Sequence, residues 1–254
     1  MMVVKRGKLM TVLTQDQLLG GKVTLAQPSD GYRAAIDPVF LAAAVSVRPG
    51  QRVLDVGCGV GAAALCLAAR VAACRVVGME FQPDLLALAW DNAVSNGVDD
   101  RVHFIQGDLA DPPAALVSGG FDHVMTNPPY MDNGTVSPHE GKAAANHEAD
   151  LPLSDWVRNC LSLLAHKGTL TMVHRADRLD DILAALHGRA GDIAVMPLWP
   201  KRGRPAKRVL VRARKGVRSP TQLLAGMVLH GDDGHYTPAA ETVLRLGGGV
   251  EWAI

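Results

Sequence analysis

From residue 52 onward, short apolar runs alternate with segments whose apolar positions recur at helical spacing. The runs Arg52–Val56, Arg75–Glu80, Val102–Gln106, Phe121–Thr126 and 169–174 are rich in Val and predict strands buried on both faces. Between them the pattern predicts helices over 61–70, 83–96, 154–165 and 176–186. Pro83 suits a first helical turn, Asn96-Gly97 a helix stop and Ser154 a cap, while Lys167-Gly168 closes the turn before the next strand. Strands and helices in alternation predict an α/β fold with a doubly wound parallel sheet. Residues 193–199 and 207–214 predict two further strands joined by the short turn PKRGRPAK, and so close a connection requires them to run antiparallel.

The flanks are less regular. Residues 20–33 carry short alternating runs broken by Gly, Pro and Ser, which predict a hairpin; a short apolar helix follows over 38–47 with Asp37 as its cap. The tail, 223–254, has a hairpin-like stretch, MVLHGDDGHYTP, and a short helix. No repeat or low-complexity linker divides the 254 residues. The expectation is one domain: an extension over 1–50, a catalytic core over 51–215 and a C-terminal extension over 216–254.

Composition narrows the setting. With 48% apolar residues the chain can bury a substantial core, yet it has no uncharged apolar stretch of about 18 residues, which excludes a membrane-spanning helix. The opening MMVVKRGKLM has no long apolar region behind it and does not read as a secretory signal. Cys58, Cys66, Cys74 and Cys160 form no CxxC pair and no zinc framework; they read as small buried hydrophobes in a reducing cytoplasm, and no metal is expected. The formal charge of +1 hides an asymmetry. Residues 201–218 hold nine of the 26 Lys and Arg and none of the 25 acids, a density that suits either a polyanion contact or a solvated hairpin.

The chemistry sits at strand ends. VLDVGCGVGAA (53–63) is a strand ending near Asp55, then Gly57, Gly59 and Gly61 turning into a helix. The second strand ends in Glu80, a carboxylate able to accept both hydroxyls of a ribose, which NAD and S-adenosylmethionine share. After the third strand, the Gly107-Asp108 turn offers an acceptor for an adenine amino group. The fourth strand separates the two cofactors, because it ends in Asn127-Pro128-Pro129-Tyr130. Two prolines fix the backbone without donating. The Asn127 side-chain oxygen and the Pro128 carbonyl then present two acceptors to a planar NH2, and Tyr130 presents a flat face for stacking. Holding both hydrogens of a conjugated amine localises its lone pair for methyl transfer from S-adenosylmethionine, by positioning and electrostatics rather than by a strong base.

These motifs, in this order and spacing, resemble class I S-adenosylmethionine-dependent amino-methyltransferases, whose fold is a Rossmann-like seven-stranded sheet, mostly parallel with a C-terminal antiparallel hairpin. More narrowly, GYRAAIDPVFLAAAV, NHEADLPLSDWV and VLHGDDGHYTPAAETVL resemble the bacterial tRNA1(Val) (adenine-37-N6)-methyltransferase family over roughly residues 18–246. The resemblance implies that Asp55, Gly57, Cys58, Gly59 and Gly61 take the methionine end of the cofactor. Glu80 then takes its ribose, Phe81 packs on its adenine, and Asp108 with Leu109 holds the adenine amino group. It also places Arg33 to Asp37 over the methionyl end, and Asn127 at the border of cofactor and target amine. Pro128, Pro129 and Tyr130 complete the grip on the amine.

The implied activity is methylation of an exocyclic amine, foremost adenine N6 of a tRNA. Guanine N2 of RNA and glutamine N5 of a protein present the same group, and an RNA-binding module that holds S-adenosylmethionine without turnover is the non-enzymatic alternative. Lys201, Arg202, Arg204, Lys207 and Arg208 are the expected RNA contacts, and residues 131–150 the expected lid over an extruded base. His174-Arg175 reads as a polar strand end or a phosphate contact, and Trp199 as a packing or stacking group.

Overall fold

The computed structural model describes residues 2–6, 9–30, 33–117, 120–129 and 151–252. The stretch 131–150 and Tyr130 lie outside the described residues, and with them the expected lid and the last residue of the NPPY motif.

The central sheet contains β4 (Arg52–Val56), β5 (Arg75–Glu80), β6 (Val102–Gln106), β7 (Phe121–Thr126), β8 (Leu164–Arg175), β9 (Ala190–Lys201) and β10 (Arg208–Lys215). Their spatial order is β6-β5-β4-β7-β8-β10-β9, and the pairs from β6 to β8 are parallel. β10 runs antiparallel to both neighbours, β8 and β9. The predicted hairpin therefore folds inward: its second strand wedges between β8 and its own partner. Two short strands, β11 (Gln222–Leu223) and β12 (Met227–His230), pair parallel along β9 and extend the expected seven strands to nine.

Alternate residues of each strand enter opposite cores, so that Val53 faces one apolar cluster and Leu54 the other. The first cluster joins the sheet to α1 (Ile36–Ala44), α2 (Ala62–Arg70) and α3 (Pro83–Ser95); the second joins it to α4 (Ala114–Val117), α5 (Leu153–Leu163) and α6 (Leu179–Leu186). α1 is buried along nearly its whole length, consistent with its all-apolar sequence after Asp37. α7 (Pro238–Glu241) closes the tail, with the Thr237 side chain accepting from Ala240 N–H as a cap.

Several expectations move. The predicted hairpin over 20–33 is instead the end of a three-stranded antiparallel sheet of β1 (Met2–Arg6), β2 (Leu9–Leu18) and β3 (Val23–Pro28), turning at Leu19–Gly21. The first two strands went unpredicted because MVVKR and LMTVLTQDQL do not keep a strict apolar/polar alternation. Helix α1 begins and ends two to three residues earlier than predicted, and its N-cap is Ala35, with no side-chain cap bond. Asp37 is not the cap: it sits in the first turn and pairs with Arg208. Ser154 is not a cap either, because Pro152 is the N-cap of α5 and Ser154 falls inside the helix. Residues 176–178 form a 3-10 turn before α6 rather than its first turn. β8 starts five residues ahead of 169, and the Lys167-Gly168 turn survives inside it as an irregularity in its pairing with β7, with Lys167 at φ 62°.

The N-terminal sheet is fastened by two amides. Asn92 on α3 and Asn96, the residue that caps its C-terminus, bond the open edge of β3. Asn96 accepts from Thr24 N–H at 2.9 Å and donates to Thr24 O at 2.7 Å. Asn92 does the same at Ala26, at 2.8 and 2.9 Å, and also donates to Val60 O at 3.0 Å. One buried side chain thus ties the extension to the loop that follows β4.

Candidate active site

In register, Val56 pairs with both Met79 and Thr126, and Glu80 with Gln106. The ends of β4, β5, β6 and β7 therefore stand level, which brings the glycine loop, Glu80, Asp108 and Asn127 to one edge of the sheet. This is the crevice where ligands of open α/β sheets bind.

The glycine loop is held against β5: Gly57 N–H and Cys58 N–H both donate to Met79 O, at 2.9 and 3.1 Å. Gly57, Gly59 and Gly61 all have positive φ, the left-handed conformation that glycine adopts without strain. Their reasons differ. A Cβ on Gly59 would meet nothing within 4 Å, so its loop faces open space. A Cβ on Gly61 would lie 2.8 Å from the Phe104 ring, so this glycine serves the packing of α2 on the sheet. Close approach to a ligand therefore does not account for Gly61.

Two acids are built into this loop. Glu80, 2% exposed, accepts from Gly59 N–H at 2.8 Å and from Gln82 N–H at 2.9 Å. Burial raises its pKa, and these N–H donors oppose the rise. Asp55, also 2% exposed, accepts from Ala64 N–H at 3.2 Å in the first turn of α2. Burial pushes its carboxyl up to about 7, against that hydrogen bond and with a smaller push from the Glu80 charge. Two buried acids at raised pKa favour a cationic ligand, since a positive charge would stabilise both as carboxylates.

Those features fit S-adenosylmethionine, which carries an ammonium and a sulfonium beside a ribose diol. Asp108 accepts from Ala110 N–H at 2.8 Å in the β6 turn, with Leu109 buried beneath it, and Phe81 follows Glu80 directly at the surface of the same edge.

Asn127 leaves β7 half-buried, Pro128 is buried and Pro129 is exposed. Their anchor is the residue before them. Thr126, fully buried, donates its hydroxyl to Val56 O at 2.9 Å and accepts from Trp156 Nε1 at 3.0 Å. The end of β7 is thereby fixed to the end of β4 on one side and to α5 on the other. Sequence reasoning missed this tie; its only local signal is a hydroxyl in an otherwise apolar strand end.

The remaining predicted residues lie farther along the same edge. Arg33 donates to Thr14 Oγ1 at 2.9 Å and pairs with Asp16 at 2.8 Å, and the buried Gln27 side chain bonds Asp16 too, at 2.8 Å. Asp37 pairs with Arg208 Nε at 2.9 Å. Of the five expected RNA contacts, Lys201, Arg202, Arg204 and Lys207 are exposed on the β9–β10 turn, whereas Arg208 is half-buried and engaged by Asp37. The rest of the basic run is largely absorbed by the fold. Arg212 stacks on Trp252 at 4.8 Å, Arg214 lies 3.8 Å from Asp192, and Lys215 donates to Leu164 O at 2.6 Å. Trp199 packs with its Nε1 on Ala225 O, and His174 is buried with its pKa driven down to about 4, chiefly by burial, so neither offers itself to a polyanion. The four cysteines are buried free thiols. Among the described residues no cluster of His, Cys, Asp and Glu is arranged to hold a metal ion, and no helix is long and apolar enough to cross a membrane.

Residues 48–188 match the family described as "Methyltransferase domain", more than half of the chain. The chain is 30% identical, over 84% of its length and 87% of the relative's, to a tRNA1(Val) (adenine(37)-N6)-methyltransferase of Porphyromonas gingivalis. It is 29% identical, over 81% and 85%, to the protein of that name from Aeromonas hydrophila. Among solved structures it resembles a predicted O-methyltransferase from Agrobacterium tumefaciens at 25% identity and a TM-score of 0.70, covering 85% of this chain and 98% of the other. With its glycine loop, strand-end acids and NPPY motif, the chain is an S-adenosylmethionine-dependent N-methyltransferase. It belongs to the methyltransferase-domain family and, within it, to the family of the tRNA1(Val) (adenine(37)-N6)-methyltransferases.

Proposed function

We propose that this enzyme methylates the N6 amino group of an adenine in tRNA, working in the cytoplasm as a single domain. The observation that carries this reading is the Asn127-Pro128-Pro129 segment, held at the end of β7 by Thr126 and level with the glycine loop.

S-adenosylmethionine, when bound, supplies an electrophilic methyl group. Asp55 and the glycine loop would hold its methionine end, Glu80 its ribose and Asp108 with Phe81 its adenine. Asn127 Oδ1 and the Pro128 carbonyl accept the two hydrogens of the target amine and orient its lone pair. That amine is a weak nucleophile while its lone pair is delocalised into the ring; the two acceptors stabilise the developing positive charge and withdraw the lone pair from conjugation. No side-chain base is needed, since the methylated ammonium is acidic and loses its proton to water. Tyr130 stacks on the base, which must leave its own stack to reach the site.

The names of the relatives support tRNA and adenine N6 over guanine N2 or glutamine N5. Incubation with labelled S-adenosylmethionine and separate pools of tRNA, ribosomal RNA and protein tests the reading, followed by digestion to nucleosides. N6-methyladenosine from the tRNA pool is the expected product. Label confined to protein, or recovered as N2-methylguanosine, would refute it.

A further inference from the structure

Beyond β8 the same edge of the sheet holds a cleft of about 340 Å³, formed where the start of α1 faces the tips of β9, β10 and β12. Arg208 pairs across the sheet with Arg175 on one side and Leu198 on the other, and Leu198 pairs with Met227. The cleft is therefore the continuation of the edge that carries Asn127, displaced by two to three strands, or roughly 10–15 Å.

Its walls combine two chemistries. Leu198 and Leu229 give an apolar floor, and exposed Lys207 stands at the mouth. Two planar groups line it as well, and both are pinned before any ligand arrives. The Arg33 guanidinium is fixed by Thr14 and Asp16. The His230 ring is fixed by a 3.1 Å contact of Nδ1 with Pro200 O and by stacking on Tyr236 at 4.6 Å. Flat cations and rings beside apolar surface are what unstacked nucleobases stack on, and a lysine at the mouth suits the attached phosphate.

We infer that this cleft binds a nucleotide flanking the target adenine, its base between the pinned Arg33 and His230 and its phosphate toward Lys207. The inference rests on the reading of RNA as substrate and adds where the RNA is gripped. The distance from Asn127 is the reach of about one or two nucleotides of single-stranded backbone. The methionyl end of the cofactor is the competing occupant. It is disfavoured by place, because β7 and β8 stand between the glycine loop on β4 and the cleft wall on β10. Charge argues the same way, because Arg33 is already neutralised by Asp16 and Arg208 by Asp37. The cleft would also select for substrates whose target adenine has an unpaired neighbour, since a paired base cannot enter.

The test fills the cleft. Ala35 is exposed and lines it, so Ala35→Trp obstructs the space without disturbing a core residue; Lys207→Glu is the second variant, at the mouth. Binding of a short single-stranded oligoribonucleotide with a central adenine is followed by fluorescence anisotropy, alongside calorimetric affinity for S-adenosylmethionine. Both variants should bind the oligonucleotide about tenfold more weakly and the cofactor as wild type does. An abasic residue beside the adenine should weaken wild type by a similar factor and Ala35→Trp no further. Unchanged oligonucleotide binding in both variants, an abasic effect that persists in Ala35→Trp, or lost cofactor affinity would each overturn the assignment. If oligonucleotide binding depends on the cleft but no methyl enters tRNA, the tRNA reading fails and the cleft stands. If methyl enters tRNA and both variants match wild type, the cleft fails and the tRNA reading stands.

Discussion

The two halves of the sheet edge are prepared in opposite ways. On the cofactor half, β4 to β6, Asp55, Glu80 and Asp108 each already accept a backbone N–H, Glu80 from the neighbouring glycine loop. On the substrate half, β8 to β12, four cations stand exposed on one turn, and the fifth, Arg208, is held by Asp37 from 171 residues away. A small, invariant ligand rewards a site whose geometry exists beforehand. A large polyanion rewards exposed charge, which attracts it at long range and is settled by the partner.

The strongest way to break this comparison lies at the junction of the halves. Asn127→Ala should lower the methylation rate by roughly 10²–10³-fold while affinity for S-adenosylmethionine changes little. Single-turnover kinetics with a parallel binding titration would check it. Loss of cofactor affinity on the same scale would place Asn127 in the cofactor half and erase the division.

A second test uses protons. Asp55 has its pKa raised to about 7, and a cationic methionine ammonium requires the carboxylate. Affinity for S-adenosylmethionine should therefore fall about tenfold per pH unit below 7 and level off above it. Stability of the ligand-free protein should move the other way. A group raised in the folded state contributes fully below its unfolded pKa of 3.8, and that contribution is lost as pH rises through about 7. Both slopes should be clearly shallower in Asp55→Asn, with the remainder carried by Glu80, measured by calorimetry and thermal melts, and both should be insensitive to changes at Lys207.

How far the sequence foretold each half follows from the same contrast. Arg52–Val56, Arg75–Glu80, Val102–Gln106 and Phe121–Thr126 lie where the apolar pattern predicts them, because a parallel strand buried on both faces is a purely local signal. The placement of Gly59, Glu80 and Asn127 at one edge was legible for the same reason, since each lies at or just past a strand end. The contact between Asp37 and Arg208 spans 171 residues and exists only because β10 inserts beside β8. No spacing rule announces that, so Asp37 was read as a helix cap beside the cofactor and Arg208 as an RNA contact. The N-terminal sheet was half-seen for a related reason, since its outer edge is completed by side chains of α3 rather than by another strand.

The smallest expected effect concerns the support beneath the junction. Trp156→Phe removes the indole N–H from Thr126 but keeps most of the buried ring. It should cost about 1–2 kcal/mol in stability, read from chemical denaturation, because Thr126 still donates to Val56. A larger fall in turnover than in stability would mean that this bond tunes the placement of Asn127.

The clasp of Asn92 and Asn96 on β3 has a meaning for how the chain behaves among its own copies. An exposed strand edge is a template on which another polypeptide can continue the sheet, and long edges of this kind drive misassembly. Here the two amides present the donors and acceptors of a neighbouring strand to Thr24 and Ala26, so the ladder is terminated by a helix of the same molecule. Asn92, which reaches the glycine loop through Val60 O, thus also helps to make β3 a closed border, so the cofactor site and the end of the N-terminal sheet share one side chain.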